Sequence, residues 1–397
     1  MKIINFVYFG VVNSPNGAAT FYRNLFYHRS EFQIDNFCKP CFYAQDLSVL
    51  SDSENVPVAV SKGKGIRLRL QKYAMGSFLF SLLGLYVFCL RHALKVIKKM
   101  PDYRNERNDL TFFFNDIFSA YFFLRKRGKC GKVVLILHND GEATKMLYGQ
   151  FPRLKGSFVG KYIEKSFVWL ISQCDDIVLL SLKSKELFHK LYGIYLTTQR
   201  IHVIYNAVES IPISLSNITT RKELVGVSVG TISYRKGFDL LSKAVKQNNV
   251  VNPESPILIK CIGNLQDKEI VDNNDSEFVQ FLGPLSHSDI VKILSDADFF
   301  ILCSRDEGMP ISILEAMQCR LPIFATNVGA ISEMFSDGVE GIIFNPTLYE
   351  LSEVLKNISN GKYNLKMMGN ASFKKYQDCY SIDKMMNSYK KILLYES

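Results

Sequence analysis

The sequence lacks the short motifs that mark several large enzyme classes. It contains no G-x-G-x-x-G loop, no Walker-type phosphate loop, no H-E-x-x-H motif and no internal repeat. The enzyme classes and repeat architectures that these signatures indicate are therefore not expected. No D-x-D motif occurs in a suitable loop, so we expect no metal cofactor.

Cysteine is present, but without a regular framework. The nine cysteines are an odd number and are scattered along the chain, which suits a reducing compartment. Cys38 and Cys41 form a C-x-x-C pair, a spacing found in redox pairs and in half of a zinc site. No second C-x-x-C, nearby histidine cluster or thioredoxin-like context accompanies them, so we interpret the pair as structural or incidental.

The N-terminus resembles a signal peptide only superficially. Met1 and Lys2 precede an apolar segment, Ile3 to Val12, without a small-residue cleavage site of the usual kind. We interpret this segment as the first buried strand and expect the protein to remain in the cytosol.

Basic residues outnumber acidic ones, and this excess of positive charge indicates which kinds of partner are favoured. The 397 residues suffice for two domains with full cores, and 47% hydrophobic with 22% charged residues is ordinary for a globular protein. A net charge of +10 favours anionic partners, namely nucleotides, phospholipid surfaces or nucleic acid.

Residues 61–100 contain no acid at all. Between Lys72 and Arg91 lies an uncharged run whose length is at the threshold for a transmembrane helix. It could be a membrane span, a buried core helix or an amphipathic segment resting on an anionic bilayer. We favour the last because apolar and basic groups occur together. The basic residues of the stretch are Lys62, Lys64, Arg67, Arg69, Lys72, Arg91, Lys95, Lys98 and Lys99.

The most informative stretch runs from Phe299 to Pro346. The apolar run from Phe299 to Cys303 predicts a strand buried on both faces, and a polar loop from Ser304 to Met309 follows. Pro310 suits the first turn of a helix, and Pro322 to Asn327 predicts the next strand. This order indicates a parallel α/β sheet, in which ligands bind at the carboxyl ends of the strands.

Two carboxylates flank the start of this predicted helix. Glu307 lies in the loop, and Glu315 lies on the second helical turn, where its side chain leans toward the N-terminus. The unpaired backbone N–H groups at a helix N-terminus bind phosphate. The candidate phosphate-binding residues are Gly308, Met309, Pro310, Ile311 and Ser312. Because carboxylates accept hydrogen bonds from vicinal diols, a nucleotide-sugar fits this arrangement.

Other strand ends carry polar residues as well. Arg235, Lys236 and Gly237 follow a β-rich run, and two cations beside a glycine suit a pyrophosphate. His138 comes directly after the predicted strand Lys132 to Leu137, where ligands bind.

These motifs resemble those of retaining glycosyltransferases of GT-B fold, particularly family 4. The order E-G-x-P-x-x-x-x-E-A places Glu307 and Glu315 in the two acidic positions of the family's EX7E motif. The segment VGTISYRKGFDLL is similar to the family's G-R-L-x-x-x-K-G, although Thr231 stands where the family usually has arginine. Asn206-Ala207-Val208 is similar to the family's N-G-V at the domain crossing.

The resemblance implies two doubly wound, Rossmann-like domains that face each other across a cleft. Residues 1–208 would form the acceptor-side domain and residues 209–375 the nucleotide-sugar domain. Residues 376–397 would form a C-terminal helix that crosses back to the first domain. The loop from Gly10 to Ala18 would lie beside the donor phosphates or the acceptor, with Gly17 as its matching residue and Asn16 in place of a second glycine.

The resemblance also implies the reaction, which is transfer of a hexose from an NDP-sugar to a hydroxyl with retention of configuration. Lys236, with Arg235, would stabilise the pyrophosphate, Glu307 would hold the transferred sugar, and Glu315 the ribose. His138 would form hydrogen bonds to sugar or phosphate. The polar candidates for the acceptor are Asp140 and Glu142.

The expected acceptor is a lipid-linked glycan in O-antigen, capsule or lipopolysaccharide synthesis. This expectation depends on the basic, apolar residues 61–100, which also suggest a peripheral location on the inner face of the cell membrane. No nucleic-acid partner is expected. The alternatives are an NDP-sugar epimerase or hydrolase on the same fold, and a non-catalytic protein that binds an anionic membrane.

Overall fold

The computed structural model describes residues 2–12, 17–33, 38–47, 50, 76–103, 109–210, 223–274 and 277–395. The chain divides into two compact units. The first unit contains Met1–Tyr205 together with Met386–Ser397, and the second contains Asn206–Met385.

The described part of the first unit contains a six-stranded parallel sheet. Its strand order is β2-β1-β3-β4-β5-β6. The strands are β1 (Lys2–Val7), β2 (Cys38–Tyr43), β3 (Asp109–Phe114), β4 (Lys132–Leu137), β5 (Asp176–Leu179) and β6 (Arg200–Val203). The helices between them are α1 (Gly17–Tyr27), α2 (Phe78–Lys99, including a π-helical turn), α3 (Ile117–Arg127), α4 (Lys145–Gln150), α5 (Phe158–Gln173) and α6 (Leu182–Tyr192).

Aromatic residues dominate the packing on both faces of this sheet. Phe112 on β3 packs against Phe123 of α3, with ring centroids 4.4 Å apart. On the opposite face, Phe113 meets the ring of Tyr389 at 5.5 Å. Neighbouring residues of a strand point to opposite faces, so the run of phenylalanines in β3 supplies both cores.

The second unit repeats this architecture with its own sheet. Among the described residues it has six parallel strands in the order β12-β11-β10-β7-β8-β9. They are β7 (Leu224–Val229), β8 (Ile257–Ile262), β9 (Val279–Gly283), β10 (Phe299–Leu302), β11 (Ile323–Thr326) and β12 (Gly341–Phe344). The helices are α7 (Phe238–Val251), α8 (Lys268–Asp272), α9 (His287–Ser295), α10 (Ile311–Gln318), α11 (Ile331–Met334), α12 (Leu348–Ser359) and α13 (Leu365–Cys379). Helix α14 (Ile382–Lys390) begins in the second unit and ends in the first.

The strand order of the second sheet positions the candidate site. The chain leaves β7 toward β8 on one side, and returns to pair β10 with β7 on the other. Loops that leave two such strands in opposite directions open a crevice at their carboxyl ends, and ligands of doubly wound sheets bind there. The prediction of doubly wound α/β folding is confirmed.

The cysteine pair lies on a strand that the sequence did not predict, β2. Residues three apart on a strand point to opposite faces, so Cys38 and Cys41 do not face each other. Burial raises the pKa of both thiols, which disfavours the reactive thiolate. All nine cysteines are free thiols, in agreement with a structural or incidental pair.

Helix α2 covers the described part of the basic, apolar stretch. Its 22 residues are long and apolar enough to cross a membrane by length and composition alone. Its C-terminal half packs into the first unit, with Val96 and Ile97 buried in the same core as Phe112. Residues 61–75, with their five basic side chains Lys62, Lys64, Arg67, Arg69 and Lys72, lie outside the described residues.

A buried carboxylate ties three strands of the first sheet together. Asp176, the first residue of β5, is fully buried and accepts hydrogen bonds from His202 at 2.7 Å and Arg200 at 2.8 Å. Lys132 approaches its other oxygen at 3.1 Å. Burial by itself would raise the pKa of Asp176, but these hydrogen bonds and the lysine charge lower it to about 2.

We predict that Asp176→Asn lowers the free energy of unfolding at pH 7 by about 3 kcal/mol, because three cationic or polar partners lose their carboxylate. The folded-state pKa lies below the unfolded value of about 3.9. The carboxylate therefore stabilises the fold above roughly pH 4, and this contribution is lost as the pH falls toward 2.

The measurement is urea denaturation of both proteins across this pH range. The exposed Glu353, 3.5 Å from Lys356, provides a matched control as Glu353→Gln, with an expected change near zero. An unchanged midpoint for Asp176→Asn at pH 7 would contradict the prediction.

Candidate functional site at the carboxyl ends of β7 and β10

The loop after β7 presses against the end of β10 at a glycine. Gly237 precedes α7 with a φ of 72°, and a Cβ there would lie 1.9 Å from the carbonyl oxygen of Cys303. A larger residue would therefore push the two loops apart. This contact brings the preceding residue, Lys236, next to the loop that contains Glu307.

Lys236 and Glu307 form an ion pair at this edge of the sheet. The Lys236 ammonium contacts Oε1 of Glu307, and Ser304 Oγ donates to the same oxygen at 2.6 Å. The two charged side chains are only 13% and 7% exposed. Both contacts use Oε1, so Oε2 of Glu307 is without a hydrogen bond among the described residues. An ammonium and a carboxylate oxygen are therefore fixed side by side, each with capacity for a ligand.

The loop after β11 supports the backbone of Glu307 and Gly308. Ala330 donates its N–H to the Gly308 carbonyl at 2.9 Å. Gly329 has a φ of 55°, and a Cβ at this position would lie 2.0 Å from the Glu307 carbonyl oxygen. From another direction, Asn206 Nδ2 donates to the Met309 carbonyl at 3.3 Å. The backbone of the predicted phosphate-binding loop is thus held on two sides, by a backbone N–H and by a side-chain amide.

Helix α10 begins beside the ion pair. Pro310 is its N-cap residue, one position earlier than the predicted first turn, and makes no side-chain cap hydrogen bond. The N–H groups of Ile311 and Ser312, both half-buried, are therefore left for another acceptor. The helix dipole places partial positive charge at this end.

Glu315 has a partner that the sequence did not predict. Its side chain is 12% exposed, and Oε1 lies 3.2 Å from Nε2 of His287, the first residue of α9. His287 follows the loop at the carboxyl end of β9, so its position at the ligand-binding edge was readable from the sequence. Its pairing with Glu315 was not, because that contact depends on the packing of α9 against α10.

Arg235 does not join Lys236 at the carboxylate of Glu307. Its guanidinium donates to the carbonyl of Asp306 at 2.8 Å, and its own carbonyl accepts from the N–H of Arg305 at 2.8 Å. Arg305 in turn pairs with both oxygens of Asp239, at 2.7 and 2.8 Å. Arg235 and Arg305 therefore brace the loop that positions Glu307.

In the first unit, His138 follows β4 and contacts Asn115, which follows β3. The Asn115 amide nitrogen donates to the carbonyl of Ala18 at 3.1 Å, so its oxygen faces Nε2 of His138. Nε2 consequently carries the proton, and Nδ1 is an acceptor. Burial lowers the pKa of His138 to about 3, so the imidazole is neutral at physiological pH. This state suits a hydrogen-bonding role.

The other predicted residues of the first unit lie at the start of α1 and in the loop after β4. Gly17 is the exposed first residue of α1, and residues 13–16 before it lie outside the described part of the chain. Asp140 pairs with Lys145 and accepts from the N–H of Glu142 at 3.4 Å. Glu142 is half-buried. Within the described residues, no group of three His, Cys, Asp or Glu side chains could hold a metal ion.

The second unit is similar to a known family. Residues 215–375 match the model of the "Glycosyl transferases group 1" family. An uncharacterized glycosyltransferase of Methanocaldococcus jannaschii is 26% identical over 255 residues, which are 60% of this chain and 64% of that protein. One chain of the human phosphatidylinositol N-acetylglucosaminyltransferase is 29% identical over 194 residues, 47% of this chain and 39% of that protein. The aligned parts thus span less than two thirds of these relatives.

Solved structures match nearly the whole chain. The structure of Anabaena HepE in complex with UDP-glucose covers 99% of both chains with a TM-score of 0.65 and 17% sequence identity. At 17% sequence identity, this structural similarity shows the fold of the chain and nothing finer.

We predict that Lys236→Met lowers the free energy of unfolding by about 3 kcal/mol, because it leaves the buried Glu307 carboxylate without its cation. The double variant Lys236→Met/Glu307→Gln should recover most of this loss. Urea denaturation of the single and double variants gives the coupling free energy of the pair.

The exposed pair of Lys292 and Asp289, 3.2 Å apart, is the matched control, and Lys292→Met should cost less than about 0.5 kcal/mol. A coupling free energy near zero for Lys236 and Glu307 would mean that the two side chains do not pair in solution.

Proposed function

We propose, from the GT-B fold of the chain and the glycosyl transferases group 1 domain of its second unit, that the protein is a glycosyltransferase. It transfers a hexose from a nucleoside-diphosphate sugar to an acceptor hydroxyl with retention of configuration. The observation that carries the proposal is the ion pair of Lys236 and Glu307 beside the uncapped N-terminus of α10.

The charges of this site suit a sugar diphosphate. An ammonium has three donors, and only one is needed for Glu307, so Lys236 can also donate to a phosphate oxygen. The N–H groups of Ile311 and Ser312 and the helix dipole add to the stabilisation of negative charge on the leaving diphosphate. No metal is part of this proposal.

The two carboxylates suit the two sugars of such a donor. Oε2 of Glu307 is positioned to accept from hydroxyls of the transferred hexose, while Glu315 accepts from the ribose. His287, next to Glu315, would orient that carboxylate. HepE, which shares the fold, was crystallised with UDP-glucose, which supports a nucleotide-sugar donor and leaves the base of this chain's donor open.

The proposed acceptor is a lipid-linked glycan, and Asp140 and Glu142 of the first unit are the proposed acceptor-binding residues. The human relative is named for transfer to phosphatidylinositol, which supports a lipid component. We further propose that the protein acts at the cytoplasmic surface of a membrane in the synthesis of cell-surface polysaccharide.

The first test is a panel of UDP-, GDP- and ADP-sugars, scored by thermal stabilisation of the purified protein. A donor at a hundred times its dissociation constant should stabilise the folded state by about 2.7 kcal/mol. One nucleotide series should raise the melting temperature and the others should not. A protein that no nucleotide-sugar stabilises would count against a donor site.

The second test is turnover of the donor by Glu307→Ala and Lys236→Ala. Each variant removes a hydrogen bond to a charged group, worth roughly 1.5–3 kcal/mol, so the transfer rate should fall about ten- to a hundredfold. Rates are divided by the folded fraction from circular dichroism, because the same substitutions lower stability. Glu353→Ala, on an exposed helical face, is the control.

Analysis of the reaction products distinguishes a retaining glycosyltransferase from a hydrolase or an epimerase. NMR of the product should show the anomeric configuration of the donor. Release of free sugar at equal rates with and without acceptor would indicate a hydrolase, and a changed nucleotide-sugar would indicate an epimerase. Wild-type rates in both variants would exclude the assigned roles.

A further inference from the structure

Helix α2 presents apolar side chains on a face that nothing in the described structure covers. Leu79, Leu83 and Tyr86 are 72%, 43% and 53% exposed and recur on one helical face. On the other face, Ser81 and Leu85 are buried, and Leu85 packs in one cluster with Leu147 of α4 and Phe151 of the turn after it. A helix segment that is apolar on both faces is normally enclosed, so the open face indicates a binding surface.

A second segment of the chain, residues 145–162, extends this surface. It packs tightly on α2, since a Cβ at Gly84 would lie 2.5 Å from the ring of Phe151. The rings of Phe78 and Phe158 are 5.9 Å apart. Met146, Phe158 and Tyr162 of this segment are 59%, 76% and 60% exposed. The six outward side chains define what we call the α2–α5 surface: Leu79, Leu83, Tyr86, Met146, Phe158 and Tyr162.

The charged residues of the two segments that form the α2–α5 surface are all basic. Neither residues 76–101 nor residues 143–163 contain an acid. Arg91 and Lys95 are exposed on α2, and Arg153, Lys155 and Lys161 are exposed on the second segment. The next acid, Glu164, accepts a hydrogen bond from Tyr148 at 2.8 Å.

We propose that the α2–α5 surface docks onto an anionic lipid bilayer. The six apolar and aromatic side chains would enter the interface, while the surrounding arginines and lysines contact lipid phosphates. Tyrosine is favoured at this depth because its ring is apolar and its hydroxyl is polar. The α2–α5 surface would be the part of the protein that contacts the membrane proposed above. The choice of a lipid bilayer as the partner rests on that proposed function.

The packing of α2 argues against a membrane span. Val96 and Ile97, in its C-terminal half, are fully buried in the core built on β3 and α3. Crossing a bilayer would expose this core, whereas lying on the bilayer requires no change in the packing.

The experiment is cosedimentation of the full chain with vesicles of phosphatidylcholine alone, and of phosphatidylcholine with an equimolar amount of phosphatidylglycerol. We expect binding to the anionic vesicles that high salt reverses. Leu83→Ser/Phe158→Ser should weaken the partition coefficient at least about tenfold, from lost apolar burial. Arg153→Gln/Lys155→Gln should weaken it about fivefold for each charge.

Matched controls lie elsewhere on the first unit. Ile194 is 86% exposed and outside the surface, so Ile194→Ser should bind like the wild type. Lys190→Gln, on α6, is the control for charge. Sedimentation velocity without lipid reports the oligomeric state of each protein.

Several results would overturn the proposal. The first is that the wild type does not bind anionic vesicles. The second is that Leu83→Ser/Phe158→Ser binds them as strongly as the wild type. The third is that the protein stays on the vesicles after a high-salt wash. A dimer that this variant dissociates would assign the surface to self-association. The substituted residues belong to the first unit, whereas Lys236 and Glu307 belong to the second. Thermal stabilisation by the donor should therefore persist in every variant, which separates failure of this proposal from failure of the transferase assignment.

Discussion

The ion pair of Lys236 and Glu307 sets the constraint that the surrounding structure satisfies. Two opposite charges are almost buried at the carboxyl ends of β7 and β10. Desolvation of such a pair usually offsets much of its Coulombic attraction, so apolar residues would stabilise the fold at least as well. The pair lies at the edge where a doubly wound sheet binds ligands, so a ligand at that edge would meet both charges.

The backbone around the pair is arranged so that the two charged side chains are held in place. The loops after β7, β10 and β11 converge so closely that Gly237 and Gly329 admit no side chain. Arg235 and Arg305 add hydrogen bonds between the first two loops. The ammonium and the carboxylate are thereby positioned by rigid strand ends, and preorganised charge of this kind is what stabilisation of a leaving group requires.

The sequence predicted the positions of Lys236 and Glu307 along the fold better than the contacts that hold the surrounding residues in place. Strand runs, the glutamate spacing and the lysine–glycine turn are local patterns, and they placed Lys236 and Glu307 each after a strand. The pairing of those two strands, β7 and β10, came only from the structure. The bracing by Arg305 and the pairing of His287 with Glu315 depend on contacts between distant segments, which no local pattern reports. Strand β2 escaped prediction because Cys38 to Tyr43 contains a proline and a lysine and lies at the edge of the sheet, where apolar alternation is weak.

Composition was also insufficient for the apolar stretch before residue 100, because it could not separate a core helix from a membrane-binding one. The last turns of helix α2 belong to the core, while its first turns carry outward apolar side chains.

The two units use parallel α/β sheets of different strand order, and their strand ends differ in electrostatic character. At the strand ends of the second unit, charged groups are concentrated around a helix N-terminus, which suits a ligand with two phosphates. At the corresponding edge of the first unit, His138 is neutral and hydrogen-bonded to an amide. A neutral acceptor at Nδ1 neither repels nor attracts a diphosphate strongly, but it can bind a hydroxyl. This contrast supports the proposed division, in which the second unit binds the anionic donor and His138 of the first unit binds a sugar hydroxyl.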